Sequence, residues 1–145
     1  METGLIAIEI AARIHAVPMD VQSVRKKYFV QGELSPEEMI RILRDHGFKA
    51  RHRRLAGLEE LKGYPLPQIL LAPGGRYHVL IGMKEGRCLI FDTGEKAIRE
   101  VDGEGLEGLW SGEVVALRPR FRQTEFASSF KWLFMEFFRF RSIFC

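Results

Sequence analysis

The hydrophobic periodicity of this chain changes once, at Gly47, and that change constrains the fold more than any other feature. Before it, apolar residues recur at helical spacing; after it, they alternate. Residues 3–15 predict a helix with Leu5, Ile6, Ile8, Ile10, Ala11, Ala12 and Ile14 round most of its circumference, interrupted by Glu9 and Arg13. A helix apolar nearly all round is expected to be central and buried. A second helix is expected from Pro18, with Val21, Val24 and Tyr28 inward and Arg25, Lys26 and Lys27 outward. Ser35-Pro36-Glu37-Glu38 opens a third: Ser at the N-cap, Pro at the first position, acids in the first turn. It presents Met39, Ile42 and Leu43 to a core and stops at Gly47.

Beyond Gly47 the alternation predicts strands over residues 48–53, 68–72, 77–83, 88–92, 97–101 and 113–117, with short helices over 58–61 and 105–110. Pro73-Gly74-Gly75, Glu85-Gly86 and Thr93-Gly94 supply turns between the middle strands. Helices first and an antiparallel meander behind is α+β segregation, not βαβ alternation.

Composition narrows the function. A chain of 145 residues is expected to hold one domain with a real core, and a net charge of +3 is too weak to argue for nucleic acid. The two cysteines, Cys88 and Cys145, form no CxxC pair, so neither a disulfide framework nor a zinc site is indicated, and a reducing compartment is the simplest reading. His15, His46, His52 and His78 show no metal-ligand spacing, and no Gly-rich phosphate loop is present, so no metal or cofactor is expected in this domain. No signal peptide is read at the N-terminus, and no segment reaches the roughly 18 apolar residues a membrane span requires.

Several short segments carry a family likeness. Glu2-Thr3-Gly4-Leu5-Ile6-Ala7-Ile8 is similar to the Asp-Cys-Gly-Leu-Ala-Cys-Leu type opening of the C39 peptidases, the N-terminal domains of bacterial ABC exporters that trim double-glycine leader peptides. Leu66-Pro67-Gln68-Ile69-Leu70 resembles the family's Leu-Pro-Ala strand, and Gly75-Arg76-Tyr77-His78-Val79-Leu80 the strand carrying the catalytic histidine. Leu89-Ile90-Phe91-Asp92 resembles the strand ending in the catalytic aspartate, and Leu109-Trp110-Ser111-Gly112 the closing Trp-x-Gly segment. The resemblance covers about residues 3–119 and implies a papain-like cysteine-peptidase fold, α+β, with N-terminal helices packed on an antiparallel sheet.

The departures are as informative as the matches. Thr3 stands at the nucleophile position, where a hydroxyl is no thiolate and has no free N-terminal amine to activate it. Only Met1 and Glu2 precede it, so the family's upstream glutamine has no counterpart here. Counting from Leu66-Pro67 places the histidine position at Tyr77, with His78 one residue late; a one-residue slip on a strand turns a side chain to the other face. Asp92 matches. This pattern resembles the degenerate, non-catalytic C39-like domain of type I secretion ABC transporters of the haemolysin-exporter kind. The resemblance implies binding of unfolded RTX-type cargo, contact with the transporter's own transmembrane and nucleotide-binding domains, an ATPase and homodimer in the full-length protein, and a place on the cytoplasmic side of the bacterial inner membrane.

Each residue also has a plainer reading. Thr3 reads as a helix N-cap, and His78 with Asp92 as a structural pair rather than an acid–base relic. Cys88 shares a strand face with Asp92 but lies about 13 Å from it along the strand, and reads as a structural thiol. Tyr77, turned into a cleft, would offer an aromatic face to an extended peptide; Tyr64, His78, Asp92 and Trp110 complete the expected cargo-binding set. Arg51-His52-Arg53-Arg54, with Arg41, Arg44 and Lys49, is either a solvated face or an attractor of acidic cargo or lipid headgroups. Residues 120–145 hold eight of the eleven Phe, with Lys131, Arg139 and Arg141, and are expected to form an aromatic, basic linker at a membrane interface. An active leader peptidase and a domain contacting only the transporter itself are the alternatives.

Overall fold

The computed structural model describes residues 2–120. The predicted linker, residues 120–145, lies outside them beyond Arg120, as does Cys145. The elements run α1 Thr3–Ile14, α2 Val21–Lys27, α3 Pro36–Asp45, β1 Phe48–Arg54, α4 Leu58–Leu61, β2 Gln68–Ala72, β3 Arg76–Lys84, β4 Arg87–Asp92, β5 Ala97–Asp102, α5 Gly103–Leu109 and β6 Glu113–Pro119.

The helix ends follow local chemistry. α3 starts in a full capping box: Ser35 accepts from the Glu38 N–H and Glu38 reaches back to the Ser35 N–H, with Pro36 in the first turn. α2 begins at Val21 rather than at Pro18, because the Asp20 carboxylate accepts from the Gln22 N–H at 3.0 Å and sets the N-cap there. Gly47, at φ 92°, turns the chain from α3 into β1. Among the described residues no helix is long and apolar enough to cross a membrane.

The sheet is antiparallel throughout, in the order β1-β6-β2-β3-β4-β5. β2 to β5 form the expected meander. β6 departs from it: the chain returns across the sheet and inserts between β1 and β2, running Phe48↔Pro119 to Arg54↔Glu113 against β1. No turn links β1 to β6, so this long-range pairing leaves no local signature.

The sheet is covered on both faces, not on the helical side alone. Leu5, Ile8, Ala11 and Ala12 of α1 and Met39, Ile42 and Leu43 of α3 pack with Phe48, Ile69, Tyr77, Val79 and Leu117 on one face. Leu61 of α4 and Leu106 of α5 pack with Leu70, Leu80, Cys88, Ile90, Trp110 and Val114 on the other. Burial of this apolar surface, at about 25 cal/mol per Å², is the main force holding the layers together. Adjacent residues of β3 therefore face different layers.

Candidate functional site

The first turn of α1 is tied to two distant parts of the chain. Thr3 is fully buried. Its hydroxyl donates to Glu33 Oε2 and accepts the Tyr77 backbone N–H at 3.1 Å. Glu33 Oε1 takes the Gly4 N–H at 2.9 Å. The carboxylate that meets the open N–H end of α1 thus comes from the loop before α3. Thr3 does not act as N-cap: Glu2 holds that position without a side-chain cap bond, and Thr3 is the first helical residue. A Cβ on Gly4 would stand 3.3 Å from Leu34 and 3.4 Å from the Tyr77 ring, so glycine permits the close approach of α1 to both.

Tyr77 sits on the same side of the sheet. Its ring is 2% exposed and its hydroxyl donates to the Leu34 carbonyl at 2.6 Å. Burial, followed by the charge of Glu33, holds the phenol well above its ordinary range, so it stays protonated. The expected aromatic face for a peptide is therefore not available: the ring is spent closing α1 and Leu34 onto β3.

His78 faces the opposite layer, near Asp92, and both are buried. Its Nδ1 accepts the Thr93 N–H at 3.2 Å and lies 3.8 Å from Asp92 Oδ1, outside hydrogen-bond range. That bond assigns the ring proton to Nε2. Burial lowers the His78 pKa against the opposing charge of Asp92, favouring the neutral ring. Burial would raise the Asp92 carboxyl, but the Arg99 hydrogen bond and the Glu95 and Gly94 N–H groups outweigh it and hold the carboxyl below its usual value. Asp92 accepts from Arg99 at 2.9 Å, Gly94 at 2.9 Å and Glu95 at 3.1 Å. A carboxylate so occupied organises the β4–β5 turn, and no Nδ1–H points at it to make a base–orienter pair.

The sheet therefore separates the predicted set. Thr3 and Tyr77 lie with the helical layer; His78 and Asp92 lie with the other. Trp110 is 9% exposed, packs with Leu106 and Val114, and donates its indole N–H to the Glu113 carbonyl. Tyr64 is partly buried and lines an open groove beside β1 and β6. Cys88 is free and fully buried, with its thiol pushed up by burial. Two contributing residues have no sequence signal. Glu33 lies in a loop without periodicity, and Thr93, whose hydroxyl donates to the Tyr77 carbonyl at 2.6 Å, reads as a turn residue. Among the described residues no three His, Cys, Asp or Glu side chains come together in a way that could hold a metal ion.

Comparison with known proteins agrees with this architecture. No family model matches the chain. It is 22% identical over 149 residues to the alpha-hemolysin translocation ATP-binding protein HlyB of Escherichia coli, a match covering 99% of this chain and 21% of that protein. The chain thus spans about a fifth of the length of the curated relative it matches. A double-glycine-motif protease from an AMS/PCAT transporter, solved in complex with the leader peptide, superposes with a TM-score of 0.72 at 21% identity, covering 81% of this chain and 84% of that one. The peptidase domain of Streptococcus ComA, a bi-functional ABC transporter involved in quorum sensing, gives 0.71 at 15% identity, covering 81% and 91%. The N-terminal peptidase C39-like domain of the toxin secretion ATP-binding protein from Vibrio parahaemolyticus gives 0.67 at 18% identity, covering 82% and 98%. The chain has the papain-like fold of the C39 peptidase and peptidase-like domains of ABC transporters.

Proposed function

We propose that this chain is a non-catalytic recognition domain of a type I secretion ABC transporter of the haemolysin-exporter kind, and that it binds unfolded RTX-type polypeptide before or during export. The observation that carries this reading is the state of Thr3. The nucleophile position holds a hydroxyl that is fully buried and bonded to both Glu33 and the Tyr77 backbone. A tyrosine rather than an imidazole stands beside it, and His78 faces the opposite layer. Acyl transfer needs a nucleophile within reach of a base, and this pair supplies neither. The likeness to a protease solved with a leader peptide supports polypeptide as the ligand class. In this reading the domain sits on the cytoplasmic side of the inner membrane, joined through residues 120–145 to the transmembrane and nucleotide-binding parts of a homodimeric ATPase.

Titration of the isotopically labelled chain with a secreted cargo from the same source, unfolded and then folded with Ca²⁺, tests the proposal. Amide shifts with the unfolded form only are expected, in fast exchange, because ordering a disordered chain offsets part of the contact energy. Silence with both forms would sink the receptor reading and favour a domain that contacts only its own transporter.

A further inference from the structure

We propose that the groove beside β1 and β6 docks on an anionic phospholipid surface. It is an open groove of about 560 Å³ lined by Arg44, Lys49, Arg51, Arg53, Arg118 and Arg120, with no carboxylate in its lining among the described residues. All six side chains are exposed. They are six of the chain's 22 Lys and Arg, so the groove carries +6 locally against a net +3 for the whole chain. Lys49 and Arg118 are directly opposed across the two strands, and like charges in that register destabilise a sheet. Among the described residues none of the six is ion-paired.

Protection of an exposed strand edge does not account for this arrangement. β1 is an edge strand, but Arg118 and Arg120 belong to or follow β6, which lies inside the sheet. Strand addition by an acidic peptide is disfavoured because Arg44 Nη2 already donates to the Ala50 carbonyl, in the middle of β1, at 3.1 Å. What remains is a cationic face that attracts headgroups through charge, at about 1 kcal/mol per basic residue near an anionic leaflet. The chain itself indicates which anionic surface. Arg120, the last described residue, lines the groove, and the sequence continues directly into the Phe-, Trp- and Arg-bearing segment 121–145. Stable attachment to a bilayer takes two signals, and a basic face next to an aromatic segment provides both. This proposal does not depend on the cargo reading.

The test is co-sedimentation of the whole chain with vesicles of phosphatidylcholine alone or of equal parts phosphatidylcholine and phosphatidylglycerol. Partition is expected onto the anionic vesicles and is expected to fall as salt rises. Arg51→Gln with Arg118→Gln should weaken it by about 25-fold, roughly fivefold per cation removed. Lys26→Gln with Arg76→Gln, equal in charge but outside the groove, should change it by no more than about twofold, the distance-screened remainder. Circular dichroism melts of both variants establish that the fold is kept. Equal losses in the two variants would overturn the proposal, since bulk charge or segment 121–145 would then do the binding. So would no partition, with groove amides shifting instead on adding inorganic phosphate or an Asp-rich peptide.

Discussion

Thr3 and Glu33, thirty residues apart, share one hydrogen bond that closes the start of α1. The same hydroxyl oxygen takes the Tyr77 N–H, so a single side chain links the first helix, the loop before α3 and the third strand. Thr3→Val keeps the shape and removes both bonds, leaving the buried Tyr77 N–H without its acceptor. The expected cost is about 2 kcal/mol, within the range for an unsatisfied buried donor. A lowered denaturant midpoint at unchanged slope would register it; an unchanged midpoint would mean the threonine is dispensable to the fold.

A thiol at position 3 should not make the chain a peptidase. In Thr3→Cys the sulfur would lie against the Glu33 carboxylate, a neighbour that disfavours the thiolate. The adjacent β3 residue would still be Tyr77, which has no basic nitrogen to take the proton. Incubation with a double-glycine leader peptide is expected to yield no product for Thr3→Cys alone, read by mass spectrometry. Cleavage by that single variant would show that His78 can reach across the sheet, contrary to its bond to Thr93.

Asp92 should behave as a turn residue. Its carboxylate holds the Gly94 and Glu95 N–H groups and the Arg99 guanidinium while itself nearly buried. Asp92→Ala is expected to destabilise the chain by about 2–3 kcal/mol, the range for hydrogen bonds to a charged group. Proton exchange at the β4–β5 turn amides should rise by a larger factor than exchange at α1. Full stability in Asp92→Ala would instead mean that the residue is held for a ligand.

The sequence made the elements legible because most of their ends carry local chemistry. Ser35 and Glu38 mark α3, and Gly47 marks its exit. Alternation along Tyr77–Ile81 also warned that Tyr77 and His78 face different layers, and they do. What alternation cannot tell is which layer holds a cleft and which a closed core. Tyr77 read as a surface for peptide because its partner, the Leu34 carbonyl, lies 43 residues away. The placement of β6 and the reach of Glu33 to Thr3 are the same kind of fact: long-range pairings with no turn or spacing to announce them. Basic residues were visible as a run from Arg51 to Arg54, but their convergence with Arg118 and Arg120 depends on β6 lying beside β1.

His15 makes stability depend on pH in a defined window. It closes α1, rests edge-on against Phe48 at 5.7 Å, and has a buried Nε2 without a partner among the described residues. Burial pushes its pKa down from 6.5 to about 4. The folded chain keeps this ring neutral where the unfolded chain protonates it, so the unfolded state binds more protons between pH 6.5 and about 4. Its contribution is whole above pH 6.5 and is lost as pH falls through that window, by up to about 3 kcal/mol. His78, also lowered by burial, acts in the same direction, whereas the Asp92 contribution is lost below its ordinary 3.8. His15→Leu should therefore lose less stability between pH 7 and pH 4 than the parent, without becoming flat. Denaturant midpoints at several pH values would measure this, and parallel curves for parent and variant would show that His15 is already solvated enough to titrate normally.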